Sequence, residues 1–157
     1  MTAYTAHTDT FARDHLPPRD QWPEFRFDLP ELQYPARVNC AKVLLDDAIA
    51  EGHGPRVALY GNSEQLSYAA LHERANRIAN VLVQQLGLVP GNRVLLRGAN
   101  SPMLAALWLG VMKAGGIAVT TMSMLRAGEL ATIANKAEIT HAISDGAIAT
   151  ELHTAAA

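Results

Sequence analysis

The stretch Gly87-Leu-Val-Pro-Gly-Asn-Arg-Val-Leu-Leu-Arg-Gly-Ala-Asn100, with the apolar run after it and Lys113-Ala-Gly-Gly-Ile-Ala-Val119, constrains the fold most. Pro90-Gly91 makes a turn, and Arg93–Arg97 reads as a strand with a buried centre. Ser101-Pro102 starts a helix, with the capping residue just before proline at the first helical position. That helix is apolar nearly all round, through Leu104, Leu107, Trp108, Leu109 and Val111, which predicts burial on more than one side. Gly115-Gly116 stops it, and Ile117–Thr121 is the next strand. After a loop at Met122–Arg126, Gly128–Lys136 reads as helix, Ile139–Ser144 as a third strand, and Ala147–His153 as a short last helix. Strands alternating with helices predict a parallel sheet with right-handed crossovers, hence a three-layer α/β fold.

Upstream, Asn39 is an N-cap for a helix with Ala41, Leu44, Leu45, Ala48 and Ile49 on one stripe. Val57–Tyr60 and Gln65–Ser67 flank a turn at Gly61-Asn62-Ser63-Glu64 and read as two short strands. Ser67 caps a long helix to about Leu86 whose face is Leu71, Ala75, Ile78, Ala79, Leu82 and Leu86, with Gly87 as the left-handed residue beyond it. Residues 1–38 differ: Pro17, Pro18, Pro23, Pro30 and Pro35 alternate with Trp22, Phe25, Phe27 and Tyr34. Proline at that density blocks helix and sheet pairing, while the aromatics need apolar surface, so this segment reads as an arm over the body, with a partly disordered leader as the equal alternative. The expected organisation is therefore an arm, 1–38, and an incomplete α/β subdomain, 39–157. A sheet of only three parallel strands leaves surface that would need more protein or a partner to cover it.

The chain has 157 residues, of which 49% are hydrophobic and 18% charged, with a net charge of −2. That is a globular composition with no basic field for nucleic acid or anionic membrane. The longest apolar run, Met103–Met112, is about half a membrane span. Met1–Asp14 is too polar for a secretion leader, and a cytoplasmic location is expected. Cys40 is the only cysteine, so no internal disulfide or Cys-based zinc site can form.

Little catalytic chemistry is visible. There is no Walker loop, no G-x-G-x-x-G and no G-x-S-x-G, and the six histidines are dispersed, so no metal site is expected. Asp46 and Asp47 are adjacent on a helix and point about 100° apart, which suits a solvated face better than an acid/base pair. The open ends of the strands leave Gly98-Ala99-Asn100, Met122–Arg126 and Asp145-Gly146 as the loops where a ligand could sit. Asn100 is expected to hydrogen-bond the turn and helix start, and Met122 and Met124 to fill core. Arg126 is a lone cation in an apolar loop, able to neutralise a phosphate or simply to sit in solvent beside a helix N-terminus.

The series Ser67-Tyr68, Leu71, Ala75-Asn76, Ala79 and Leu82 resembles the opening helix of the adenylate-forming acyl-CoA synthetase superfamily. Gly87-Leu88, Gly91-Asn92-Arg93-Val94 and Asn100 resemble its G-L-x-x-G-D-R-V strand, and Leu109–Gly116 its next helix and turn. Asn92 replaces the usual aspartate, and Ser123 stands where proline is common. Leu16-Pro17-Pro18, Trp22-Pro23, Tyr34-Pro35, Asn39-Cys40-Ala41 and Thr121–Ala127 are most similar to the 2-aminobenzoate- and benzoate-CoA ligase branch.

The resemblance implies the N-terminal part of a ligase, with ATP, CoA and Mg²⁺ as cofactors of the full-length parent. In such enzymes a carboxylate attacks the α-phosphate of ATP, giving an acyl-adenylate and pyrophosphate, and the CoA thiol then displaces AMP. The family's phosphate loop, ribose-binding aspartate and C-terminal lysine have no counterparts in this sequence. The one site residue the resemblance carries over is Arg126, toward a CoA phosphate. The implied partner is the remainder of the parent polypeptide, with a homodimer of the full-length enzyme left open and no nucleic acid or membrane. The fragment by itself is expected to be inactive. Two other readings stay open: a stand-alone, non-catalytic α/β binding module, and a subunit whose helix Leu104–Met112 docks on another chain.

Overall fold

The computed structural model describes residues 6–157. Its elements in chain order are α1 (Phe11–Asp14), α2 (Asp47–Ala50), β1 (Val57–Tyr60), β2 (Gln65–Ser67), α3 (Tyr68–Asn80), β3 (Arg93–Arg97), α4 (Pro102–Lys113), β4 (Ile117–Thr121), α5 (Ala127–Lys136), β5 (His141–Ser144) and α6 (Ala149–Ala156). A wide π-type turn, Lys42–Asp46, leads into α2, and another, Val81–Gln85, ends α3. β5 begins two residues later than the sequence suggests, because Thr140 is spent on the turn: its N–H and hydroxyl both donate to the Arg93 carbonyl, at 3.0 and 3.1 Å.

The caps are where the side chains predict them. The Asn39 carboxamide oxygen accepts Ala41 N–H at 3.0 Å, Ser67 Oγ accepts Ala70 N–H at 3.2 Å, and Ser101 Oγ accepts Leu104 N–H at 3.1 Å. Each satisfies a helix-start donor that would otherwise lack a partner.

β1 and β2 form an antiparallel hairpin, and the other three strands form a parallel sheet in the order β4-β3-β5. Val94 pairs with Ala118 on one side and His141 on the other, so β3 is the central strand. The chain steps from β3 outward to β4, then back past β3 to β5. Right-handed crossovers with opposite steps put α4 and α5 on opposite faces. Accordingly α4 packs on α3 and on β3 and β4, while α5 pairs with α6. The sheet flanked by helices on both faces is the three-layer α/β arrangement.

Alternation along β3 sorts its side chains. Val94 and Leu96 turn toward α3 and α4 and cluster with Leu82, Leu88 and Val111. Arg93, Leu95 and Arg97 share the opposite face. A second cluster, Ala41, Leu45, Leu66, Leu71, Ala75, Ala106 and Leu109, seats the hairpin and α2 against α3 and α4. Gly110 lets those two helices close: a Cβ there would lie 2.5 Å from Ile78 Cγ2.

Some expectations fail: Leu44 and Leu86, read as part of apolar helix faces, are exposed at the helix surface. Asp46 is not on a solvated face; its carboxylate accepts from Lys113 Nζ at 2.7 and 2.9 Å and lies 3.2 Å from His72 Nε2. Burial opposes the charge, but the Lys113 and His72 contacts still hold its carboxyl below its ordinary value. Met122 and Met124 are not core: they are 65% and 79% exposed. The apolar α4, by contrast, is buried on more than one side as expected, against α3 and against β3 and β4, while Trp108 and Met103 stay 41% and 48% exposed. In the arm, Trp22, Phe25, Phe27 and Tyr34 pack chiefly on one another, each neighbouring pair with ring centroids 6.1 Å apart, and Phe25, Phe27 and Tyr34 stay exposed. Trp22 also donates its indole N–H to the Pro17 carbonyl at 2.7 Å.

Candidate functional site

In an open α/β sheet ligands enter where neighbouring strands send their chains to opposite faces. Here that crevice lies between the carboxyl ends of β3 and β4. A cleft of about 630 Å³ opens there, lined by Gly98, Asn100, Leu104, Thr121, Met122 and Met124. Asn100 does not play its expected structural part. Among the described residues its side chain makes no hydrogen bond, and the helix start is capped by Ser101 instead. Asn100 lines the cleft.

Sequence reasoning missed the residue that organises this end of the sheet. Arg97 is 3% exposed. Its Nη1 donates to Met122 O at 3.2 Å, Nη2 to Ser123 O at 2.9 Å and Nε to Ile148 O at 3.3 Å. One guanidinium thereby pins the loop after β4 and the turn after β5. All three acceptors are carbonyls, and among the described residues it joins no ion pair within 4.0 Å. The available signal was register: on a central strand, a residue two places from Leu95 shares its buried face.

Arg126 stands across a second cleft of about 430 Å³, which Arg97, Ser123, Ile148 and Glu151 also line. It precedes α5, where its own N–H donates to Glu129 Oε2 at 2.9 Å. Its side chain is 80% exposed and pairs with Glu151 at 3.1 Å. The second Glu151 oxygen accepts Ala127 N–H, the first helical N–H of α5, at 2.9 Å. That N–H first, and Arg126 second, hold the Glu151 carboxyl below its ordinary value. The anion-favouring start of α5 is therefore already occupied by a carboxylate of α6. Of the third loop, Asp145 caps the following turn, accepting Ala147 N–H at 2.9 Å.

Among the described residues no three His, Cys, Asp or Glu side chains are grouped to hold a metal, and no helix is long and apolar enough to cross a membrane. The loops at the sheet's carboxyl end also lack a glycine-rich cradle ending in lysine, so these residues do not by themselves fit a nucleotide with its Mg²⁺.

A parallel sheet opening at this crevice defines a class of domain, and comparison with known proteins gives the family. The AMP-binding enzyme family model matches residues 46–157, and the chain belongs to that family. The Crotonobetaine/carnitine--CoA ligase of Salmonella paratyphi A is 37% identical over 98 residues, which are 59% of this chain and 19% of that protein. The benzoate CoA ligase of Burkholderia xenovorans LB400 superposes with a TM-score of 0.70 at 25% identity, over 76% of this chain and 24% of that one. An anthranilate CoA ligase solved with anthranoyl-AMP gives 0.73 at 21% identity, over 80% of this chain and 24% of that one, and so shares the fold. The chain thus spans about a fifth to a quarter of the lengths of these proteins.

Proposed function

We propose that the chain is the N-terminal portion of an AMP-forming acid–CoA ligase, converting a carboxylate, ATP and CoA to acyl-CoA, AMP and pyrophosphate, with an aromatic acid such as 2-aminobenzoate or benzoate as substrate. Family membership over residues 46–157 carries the ligase reading. The aromatic reading draws on the likeness to benzoate and anthranilate CoA ligases over three quarters or more of the chain, and on the arm motifs Leu16-Pro17-Pro18 and Tyr34-Pro35. The carnitine-class relative is its competitor. The parent uses ATP, CoA and Mg²⁺ in the cytoplasm, and the remainder of its polypeptide supplies the nucleotide and Mg²⁺ site. Alone, residues 1–157 are inactive.

Arg126 serves CoA in this reading. Its guanidinium is exposed at a cleft and, among the described residues, pairs with Glu151, so a phosphate can replace the carboxylate by the same charge-assisted hydrogen bonds.

The test is to read the frame beyond codon 157 at its source, express the whole product, and follow acid-dependent AMP release and thioester formation. Benzoate and 2-aminobenzoate should support turnover and crotonobetaine should not. Turnover of crotonobetaine alone would remove the aromatic assignment. AMP release by the 157-residue chain itself would remove the fragment assignment. Arg126→Ala in the whole product should raise KM for CoA severalfold and leave adenylation unchanged.

A further inference from the structure

The amino end of β3 holds a contact that the ligase reading does not use. Thr8 and Asp9 both donate their N–H groups to the Pro90 carbonyl at 2.9 Å. Asp9 Oδ1 accepts Phe11 N–H at 3.1 Å, which leaves Oδ2 to accept from Asn92 Nδ2 at 2.9 Å and from the Arg93 guanidinium. The Phe11 ring covers that guanidinium, 4.6 Å from its centroid. At Gly91 a Cβ would stand 2.0 Å from the Asp9 carbonyl oxygen, so the turn admits the arm only because that residue is glycine.

Arg93 reaches the other way as well. Nε donates to Ala137 O at 2.9 Å and Nη2 to Glu138 O at 2.8 Å. Glu138 has φ 45°, a left-handed backbone costing about 1–2 kcal/mol for a side-chain-bearing residue. One buried guanidinium therefore joins the arm to the strained turn between α5 and β5.

Asn92 selects the arm. Its Oδ1 accepts Val89 N–H at 3.1 Å and closes the turn, which an aspartate could also do. Its Nδ2 donates to Asp9, which an aspartate could not; it would set a second carboxylate against the first. The segment has no buried residue of its own in α1, so polar contacts hold it and it can open without the core.

We propose that residues 8–14 form a strap, recognised through Asn92 and Arg93, whose release loosens the α5–β5 turn while the sheet stays folded. The experiment is residue-resolved amide hydrogen exchange on the 157-residue chain and on Asp9→Asn, Asn92→Asp and Thr8→Pro, the last of which leaves the body's sequence intact. Asp9→Asn and Asn92→Asp should each speed exchange at the Thr8 and Asp9 amides by roughly tenfold or more. The Ile139 amide should speed up by a smaller factor, and Leu95 and Leu96 should not change. Thr8→Pro should give the same pattern at Asp9 and Ile139. Unchanged exchange in the single variants or in Thr8→Pro would overturn the strap. A rise spread equally to Leu95 and Leu96 would overturn its independence from the core, and unchanged exchange in Asn92→Asp alone would overturn Asn92 as the selector.

Discussion

Arg93 and Arg97 occupy the two ends of one strand, face the same side and are 4% and 3% exposed, yet they are compensated differently. Arg93 has Asp9 as a counter-charge, an aromatic ring against its face, and the Gly91, Ala137 and Glu138 carbonyls. Arg97 has three carbonyls and, among the described residues, no ion pair, although its charge helps to lower the Glu151 carboxyl. Carbonyl dipoles can satisfy the hydrogens of a buried guanidinium without neutralising it, whereas a carboxylate does both. At the amino end Arg93 is thus neutralised by a charge brought from the arm, whereas at the carboxyl end Arg97 itself is held by loop carbonyls. The amino end carries the strap, and the two clefts beside Arg97 and Asn100 open at the carboxyl end.

The comparison predicts an order of effects. Arg93→Met strands the Asp9 carboxylate and three carbonyls, and should cost about 3–5 kcal/mol in chemical denaturation. Arg97→Met strands only carbonyls and should cost about 1–3 kcal/mol, with exchange rising at Met122–Arg126 rather than at Ile139. Equal losses would erase the distinction.

Acid should separate the ends next. The Arg93 hydrogen bond, foremost, holds the Asp9 carboxyl below its ordinary 3.8. A depressed carboxylate adds stability that is fully present above the unfolded value and is lost as pH falls through the folded one. Protection at Thr8 and Asp9 should therefore persist at pH 5 and fade below 3.8, and Asp9→Asn should abolish that dependence. The Arg97 contacts, having no titrating partner within hydrogen-bond reach, should hold over the same range. The smallest effect belongs to Arg126→Ala, which breaks an exposed pair and should leave the denaturation midpoint of the isolated chain unmoved.

Much of this architecture was legible because local signals and the global fold agree. Ser67, Ser101 and Asn39 cap where they should, Gly87 and Gly115 end helices at φ 69° and 82°, and the strands at Val57, Gln65, Arg93 and Ile117 begin as read. What escaped was long-range. Nothing local distinguishes an arginine at a strand end in water from one buried under an arm 84 residues away in sequence. Asp46 looked solvated because its partner Lys113 is 67 residues on. Met122 and Met124 looked like core because apolarity alone cannot separate a filled interior from an open cleft wall. Arg126 was found as a cation, but its pairing with Glu151 depends on how α6 folds back on α5.

The two tryptophans sit in separate parts of the molecule, Trp22 in the aromatic row of the arm and Trp108 on the open side of α4. Each is thus an optical gauge of its own region. With Trp108→Phe, quenching and emission wavelength follow the arm; with Trp22→Phe, they follow the helix that backs the sheet. Stopped-flow mixing with denaturant would then give each region its own clock, and two different rates would show the order in which the chain comes apart.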